Sequence, residues 1–224
     1  MRNIAFGIFI FCGIQAFAQK KPFENVSLDA FLTETQYFSD NPKMLEFVWW
    51  LPREFWGVSY AQDPTVSEED YKELLKMFEN FELFAVTQGE IGHFGGITYY
   101  SREDVIDNLT IHYRGENLIV ASEEEISSDF SNFIMIMQPM IANMLGQMGS
   151  NIHFILFKSI RGNEVLPINP LDSKNLEITL SEFNKTIELP LSSLLLEKRC
   201  PTDDKLYSGK WNYCPIHGQN LIIN

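Results

Sequence analysis

Cysteine is one of the scarcest residues in this chain, with 3 among 224 residues. Cys12 lies in an apolar segment near the N-terminus, which leaves Cys200 and Cys214 for the remainder. Two cysteines are too few for the disulfide-dense scaffold of a small secreted domain, so the fold must be held by a hydrophobic core. A chain of this length, 45% hydrophobic, can bury such a core as one large domain or as one domain with an appendage.

Positive charge is also scarce. The 17 lysines and arginines are outnumbered by 30 aspartates and glutamates, which gives a formal net charge of −13. Binding to a nucleic acid or to an anionic membrane surface requires a basic footprint. The composition therefore argues against both kinds of partner and favours an unknown protein or small ligand.

Long hydrophobic runs are lacking except at the N-terminus. The basic start Met1–Asn3 precedes an apolar stretch from Ile4 to Phe17, and Ala16-Phe17-Ala18 forms an Ala-x-Ala cleavage site. These are the parts of a secretory signal peptide, and the apolar stretch is too short to remain as a membrane span. We expect residues 1–18 to be removed and the mature bacterial protein, beginning at Gln19, to be exported to the periplasm or the medium.

The familiar catalytic motifs are missing. There is no Gly-x-Ser-x-Gly elbow, no His-Glu-x-x-His, no Walker loop and no dinucleotide-binding fingerprint, and the glycine-rich segment 88–96 has the character of a hairpin turn. Scattered histidines and carboxylates could still converge into a hydrolytic site: His93, His112, His153, Glu54, Glu90 and Asp104. We therefore expect a non-catalytic binding or interaction module and keep a secreted hydrolase as the alternative.

Residues 19–197 alternate between patterns of helix and patterns of strand. Ser67 and Ser101 each precede a helical pattern, and Ser27 is expected to begin a helix that ends near Asn41-Pro42. Strands are expected at 47–51, 83–87, 97–100, 109–114, 117–121, 151–157, 176–180 and 186–189. The pattern predicts an α+β body, mainly antiparallel sheet packed with several helices.

Two clusters of large side chains within this body have alternative interpretations. Trp49, Trp50 and Trp56 lie within eight residues, and we expect them to anchor the core. Residues 130–148 form an apolar stripe of helical period that is rich in methionine, and Pro139 is expected to break or kink it. Core packing is the expected role of these methionines, while a Cu(I) site or an adaptable apolar groove remains open.

The last residues of the chain repeat a short pattern. Cys200-Pro-Thr-Asp203 and Cys214-Pro-Ile-His217 both have the form Cys-Pro-x-ligand. Gly218 follows the second copy, where glycine accepts the positive φ that a turn wrapped around a thiolate requires. Asp204 takes the same place in the first copy and is one of the few residues that tolerate the left-handed region.

This pattern resembles a degenerate zinc ribbon, a family whose usual form is two Cys-Pro-x-Cys turns separated by a short hairpin. The resemblance covers residues 198–224, and Trp211 and Tyr213 precede the second turn, where such ribbons often carry aromatic residues. It implies a small module that stabilises the fold or mediates an interaction, rather than an activity.

The resemblance also implies a ligand set for a structural zinc ion: Cys200, Asp203, Cys214 and His217. Carboxylate and imidazole are legitimate zinc ligands, although Asp is uncommon in closed structural sites. The alternative is a disulfide between Cys200 and Cys214, which would close a loop worth about 3 kcal/mol in the chain-entropy model. Free thiols are the third possibility.

Overall fold

The computed structural model describes residues 19–63, 65–161 and 164–223, so the expected signal peptide lies outside the described residues. Within these ranges the α-helices are α1 Leu28–Thr33, α2 Arg53–Gln62, α3 Glu68–Met77, α4 Arg102–Asn108, α5 Ser128–Leu145 and α6 Gln147–Ser150. Serine side chains cap α1, α3, α4 and α5 by accepting a backbone N–H of the first turn. None of the described helices combines the length and the hydropathy needed to cross a bilayer.

All strand pairs in the described chain are antiparallel. The strands are β1 Gln36–Phe38, β2 Met44–Leu51, β3 Phe81–Ile91, β4 Ile97–Tyr99, β5 Leu109–Tyr113, β6 Glu116–Asn117, β7 His153–Lys158, β8 Ile160–Arg161, β9 Glu164–Val165, β10 Leu176–Leu180, β11 Phe183–Ile187, β12 Lys198–Arg199, β13 Leu206–Tyr207 and β14 Ile222–Ile223. Together with the helices they confirm the α+β class.

The chain divides into two compact units. One unit is Lys20–Leu195, which we call the body. The other unit contains Gln19 and residues 196–223, and we call residues 196–223 the tail. In the body, β3 is the central strand of a five-stranded sheet: β2 pairs along one edge, while β7 and β4 share the other. A second body sheet has the order β11-β10-β5-β6.

Strand β2 shows how the layers of the body are arranged. Phe47, Trp49 and Leu51 belong to a core cluster shared with helices α2, α3 and α5. Val48 and Trp50, which point to the opposite face, belong to a second cluster shared with the four-stranded sheet. Because the five-stranded sheet is covered on both faces, this strand is continuously apolar from Phe47 to Leu51, and all three tryptophans are buried as the sequence predicts.

Helix α5 is not broken at Pro139, which was one of the two outcomes expected from the sequence. It continues through this proline to Leu145, and its C-cap residue Gly146 has a φ of 60°. The carbonyl that proline leaves without a helical donor belongs to Met135, on the exposed side of the helix, where solvent can hydrate it. The expectation that the methionines line the core is also wrong for three of them, since Met135 is 70%, Met140 is 55% and Met144 is 78% exposed.

Two other expectations about helices need correction. The first helix ends at Thr33, because residues 36–38 pair with β2 and Tyr37 lies opposite Val48. The segment after β2 is helix α2, which the sequence analysis did not predict. Pro52 is its N-cap residue, and Trp56 and Val58 are buried on it. In both places tertiary contacts, rather than local preference, select the conformation.

Candidate metal centre in the tail

The tail is a three-stranded antiparallel sheet with two turns, each of which begins at a cysteine. Strand β12 pairs with β13 on one side and with β14 on the other. The first turn begins at Cys200 and joins β12 to β13. The second begins at Cys214 and is closed by a bridge between Tyr213 and Asn220. Short paired segments therefore fix the backbone on both sides of each cysteine.

Backbone hydrogen bonds close the first turn around the sulfur of Cys200. The N–H of Asp204 donates to the Cys200 carbonyl at 3.0 Å, and the N–H of Cys200 donates to the Lys205 carbonyl at 2.9 Å. The N–H of Thr202 points at the sulfur, with a nitrogen–sulfur distance of 3.5 Å. Asp204 has a φ of 59°, which confirms the prediction that this position takes the left-handed conformation.

The second turn repeats the two backbone hydrogen bonds to carbonyl groups fourteen residues later. The N–H of Gly218 donates to the Cys214 carbonyl at 2.9 Å, and the N–H of Cys214 donates to the Gln219 carbonyl at 2.8 Å. The N–H of His217 lies 3.4 Å from the Cys214 sulfur. Gly218 has a φ of 64°, again as predicted, so the two copies of the sequence pattern fold into two copies of one turn.

Both cysteine sulfurs are buried, but their surroundings favour negative charge on at least one of them. Burial alone would raise the pKa of the Cys214 thiol. Hydrogen bonds from the backbone N–H groups of His217 and Ile216 outweigh that effect and lower the pKa to about 6. Cys214 is therefore largely a thiolate at neutral pH, which is the form that binds a metal ion.

The imidazole of His217 completes a group of three potential ligands. Its Nδ1 lies 3.4 Å from the sulfur of Cys200 and 3.5 Å from the sulfur of Cys214. The three ligand atoms all lie within 4.8 Å of one another, so they could hold a metal ion. The two thiols are not bonded to each other, and the histidine is turned toward them rather than away.

Asp203, the fourth residue of the implied ligand set, lies beside this group. Its Oδ2 is 3.9 Å from Nδ1 of His217, while its Oδ1 accepts the backbone N–H of Lys205 at 3.2 Å. That backbone hydrogen bond is the largest cause of a lowered pKa for the carboxyl, so Asp203 is ionised at neutral pH. The structure thus brings together Cys200, Cys214 and His217 and places a carboxylate next to the histidine.

Two further side chains support the centre and were not predicted. Leu221 packs with both cysteines and with the partly buried Tyr207 in the small hydrophobic cluster of the tail. The Tyr207 hydroxyl is buried beside Cys214, and burial, followed by the nearby sulfur, raises its pKa to about 12. Its oxygen makes no hydrogen bond of standard geometry within the described residues. Both residues lie seven positions after a cysteine, a repeat that could have revealed them.

A buried lysine ties the two copies of the pattern together. Lys198 is 3% exposed, and its Nζ donates to the carbonyl of Trp211 at 2.9 Å and to Oδ1 of Asn212 at 3.0 Å. The ammonium therefore joins the strand before the first turn to the segment before the second. The sequence did not reveal this role of Lys198, because the role depends on hydrogen bonds to residues that are thirteen and fourteen positions away.

The other histidines of the described chain make separate contacts. His112 Nδ1 lies 2.9 Å from Oδ1 of Asn117, and His153 Nε2 lies 3.1 Å from the carbonyl of Tyr100. His93 is exposed in the turn between β3 and β4. Within residues 19–63, 65–161 and 164–223, the tail group is the one cluster of three or more His, Cys, Asp or Glu side chains with ligand atoms close enough to share a metal ion.

The carboxylates considered with those histidines also have other partners. Glu90 accepts a hydrogen bond from the hydroxyl of Tyr100 at 3.0 Å, and Asp104 caps helix α4 through Ser101. Glu54 is paired with Lys20 at 3.8 Å. The described residues thus give no specific support to the hydrolase alternative.

Comparison with known proteins leaves the centre to be interpreted from its geometry: no protein-family model, no curated protein and no solved structure matches this chain.

Proposed function

We propose that the tail binds one Zn²⁺ ion and that this ion holds the ribbon in its folded form. Cys200, Cys214 and His217 supply two sulfurs and one nitrogen, and Asp203 supplies the fourth ligand. The observation that carries the proposal is the position of one imidazole nitrogen at nearly equal distances, 3.4 and 3.5 Å, from two unbonded sulfurs.

These distances fit the dimensions of a zinc site. Tetrahedral zinc with Zn–S bonds of about 2.3 Å and Zn–N bonds of about 2.0–2.1 Å separates a sulfur ligand from a nitrogen ligand by about 3.5 Å. A disulfide would instead bring the two sulfurs to about 2.05 Å and leave the histidine without a role. Two sulfurs with a nitrogen are also the donor set that favours zinc among the common divalent ions.

The size of the tail supports a structural role for the ion. Its hydrophobic cluster consists of the two cysteines and Leu221, with Tyr207 packed against it. Below about 40 residues a chain cannot bury enough apolar surface to fold alone, and a metal ion is one of the usual substitutes. The ion would pull the two turns onto each other and neutralise the negative charge of the thiolates.

For the whole chain, we propose an exported, non-catalytic binding module that consists of the body and the zinc-stabilised tail. The Ala-x-Ala site that follows the apolar N-terminal stretch supports export. The net charge of −13 supports a protein or small-ligand partner rather than nucleic acid.

The zinc content of the purified chain that begins at Gln19 tests this proposal. We expect about one zinc per chain, because the tail supplies a single set of ligands. Replacing Cys214 by Ser or His217 by Ala should abolish stoichiometric zinc, and Asp203→Ala should weaken binding by on the order of 10-fold to 100-fold. His112→Ala, a matched histidine deletion in the body, should leave the zinc content unchanged.

The same preparation distinguishes zinc from the disulfide. Chelation of the ion under denaturing conditions should release two titratable thiols per mature chain, Cys200 and Cys214. A zinc-free protein with no titratable thiols would show that the cysteines are bonded to each other and would overturn the proposal.

A further inference from the structure

Helix α5 of the body carries an exposed surface without charge. The sequence has no Asp, Glu, Lys or Arg between Phe130 and Ile152. Met135, Ile136, Met140 and Met144 are 70%, 67%, 55% and 78% exposed. Within this helix only Phe130 and Ile141 are buried in the core. Packing therefore does not explain the methionines that are exposed to solvent.

Three of the methionines lie along one line on the helix. Met137, Met140 and Met144 are spaced i, i+3 and i+7, and residues with this spacing are neighbours on one helical face. Met137 is half-buried against the core, while the other two extend into solvent. At about 100° of rotation per residue, Met135 points about 140° away from Met140 and lies off this line.

Thioether sulfur is a soft, neutral ligand with a marked preference among metal ions. It selects Cu(I) and binds hard or borderline ions such as Zn²⁺ poorly. Each methionine has three rotatable side-chain bonds, so sulfurs on neighbouring helical positions can approach one another. The half-buried Met137 supplies a fixed ligand, and the two exposed methionines remain accessible to an incoming ion.

We propose that Met137, Met140 and Met144 form a Cu(I)-binding site on helix α5. The ligands are neutral, and nothing within a helical turn of them in sequence carries a charge, so the site would hold a monovalent ion through sulfur coordination alone. Thioethers do not protonate in water, so binding should be independent of pH between about 5 and 8, unlike binding by thiolates, which must lose a proton first.

Methionine-methyl NMR on the full-length, zinc-loaded chain tests the site directly. The chain would be labelled with ¹³C at the methionine methyl groups and titrated with Ag(I), a redox-inert substitute, and then with Cu(I) under reducing conditions. Metal captured by the tail thiols leaves the methyl signals in place, so each site is observed separately. The signals of Met137, Met140 and Met144 should shift together and saturate, while Met44, Met77 and Met135 stay in place.

Substitutions by leucine provide the matched comparison, because leucine has a similar helix propensity and volume. Met140→Leu and Met144→Leu should each weaken Cu(I) affinity, measured against a chromophoric chelator, by on the order of tenfold or more. Met135 is also exposed but does not lie on the line of the other three methionines, so Met135→Leu should leave the Cu(I) affinity unchanged.

Three results would overturn the proposal. The first is that no methyl signal shifts with excess metal. The second is that Met135 shifts together with the other three, which would indicate nonspecific sulfur binding. The third is that the α5 signals broaden with protein concentration but ignore metal, which would identify the surface as a contact between two copies of the chain.

Discussion

The residues at the two turns of the tail show which features of the structure a local sequence pattern can predict. The left-handed conformation of Asp204 and Gly218 was predictable because it is a property of five consecutive residues. The supporting role of Lys198 was not, because it depends on a hydrogen bond between distant segments. Local chemistry thus identifies candidate ligands, while the folded sheet identifies the lysine that joins their two turns.

Gly218→Ala tests whether the positive φ is needed for the centre. No atom lies within 4 Å of the position that a Cβ would occupy, so the cost should come from the backbone alone. A left-handed alanine costs about 1–2 kcal/mol. We expect zinc affinity to fall by roughly tenfold, measured by competition with a chelator. Gly96→Ala, which also meets no atoms and has no positive φ, is the control; an equal loss there would contradict this explanation.

Glu82 is an ionisable residue that is buried in the body. Its Oε1 accepts the backbone N–H of Ile168 at 2.8 Å and the hydroxyl of Ser159 at 3.3 Å. Burial raises its pKa to about 7 despite these hydrogen bonds, and nearby Glu54 adds to the effect. The native state therefore keeps a proton that the unfolded chain loses above about pH 4.5.

This proton makes the stability of the body depend on pH. The contribution of Glu82 is fully present below about pH 4.5 and is lost as the pH rises through about 7, a change of roughly 3 kcal/mol. Glu82→Gln should remove that decline and make the protein more stable than the parent at pH 8. Urea unfolding of the parent and the variant between pH 5 and 8 measures the free energy of unfolding at each pH. If this free energy changed with pH in the same way for both proteins, Glu82 would not hold the proton.

For the secondary-structure elements, the sequence predicted where helices begin better than it predicted where they end. Ser27, Ser67 and Ser101 mark true helix starts, and the apolar run before Pro52 is a true buried strand. The early end of α1 and the existence of α2 could not be predicted, because strand pairing and aromatic packing decide them. Helix α5 misled for another reason: the core leaves part of its apolar stripe exposed.

Substitutions on α5 measure this difference in burial. Met144→Asp should change the free energy of unfolding by no more than about 0.5 kcal/mol, because the side chain is 78% exposed. Ile141→Asp, three residues earlier and 4% exposed, should cost at least about 3 kcal/mol through a buried unpaired charge. Chemical denaturation of the two variants provides the comparison. Equal destabilisation would place Met144 in the core, as the sequence had suggested.

For the molecule as a whole, the two units have different sources of stability. The body has two extensive hydrophobic clusters on either side of its central sheet. The tail has one cluster, which contains the two cysteines of the candidate metal centre. The α+β class was predictable because strand and helix patterns alternate along the body. The partner was not, because no pattern of charge or motif in the sequence specifies one.

Zinc K-edge X-ray absorption on the full-length chain, purified with its metal, tests the central claim most directly. The measurement counts the sulfur atoms bound to the ion and gives their distances. The proposed centre requires two sulfurs at about 2.3 Å and two nitrogen or oxygen ligands at about 2.0–2.2 Å. A first shell of nitrogen and oxygen alone would contradict it, because Cys200 and Cys214 would then not hold the ion.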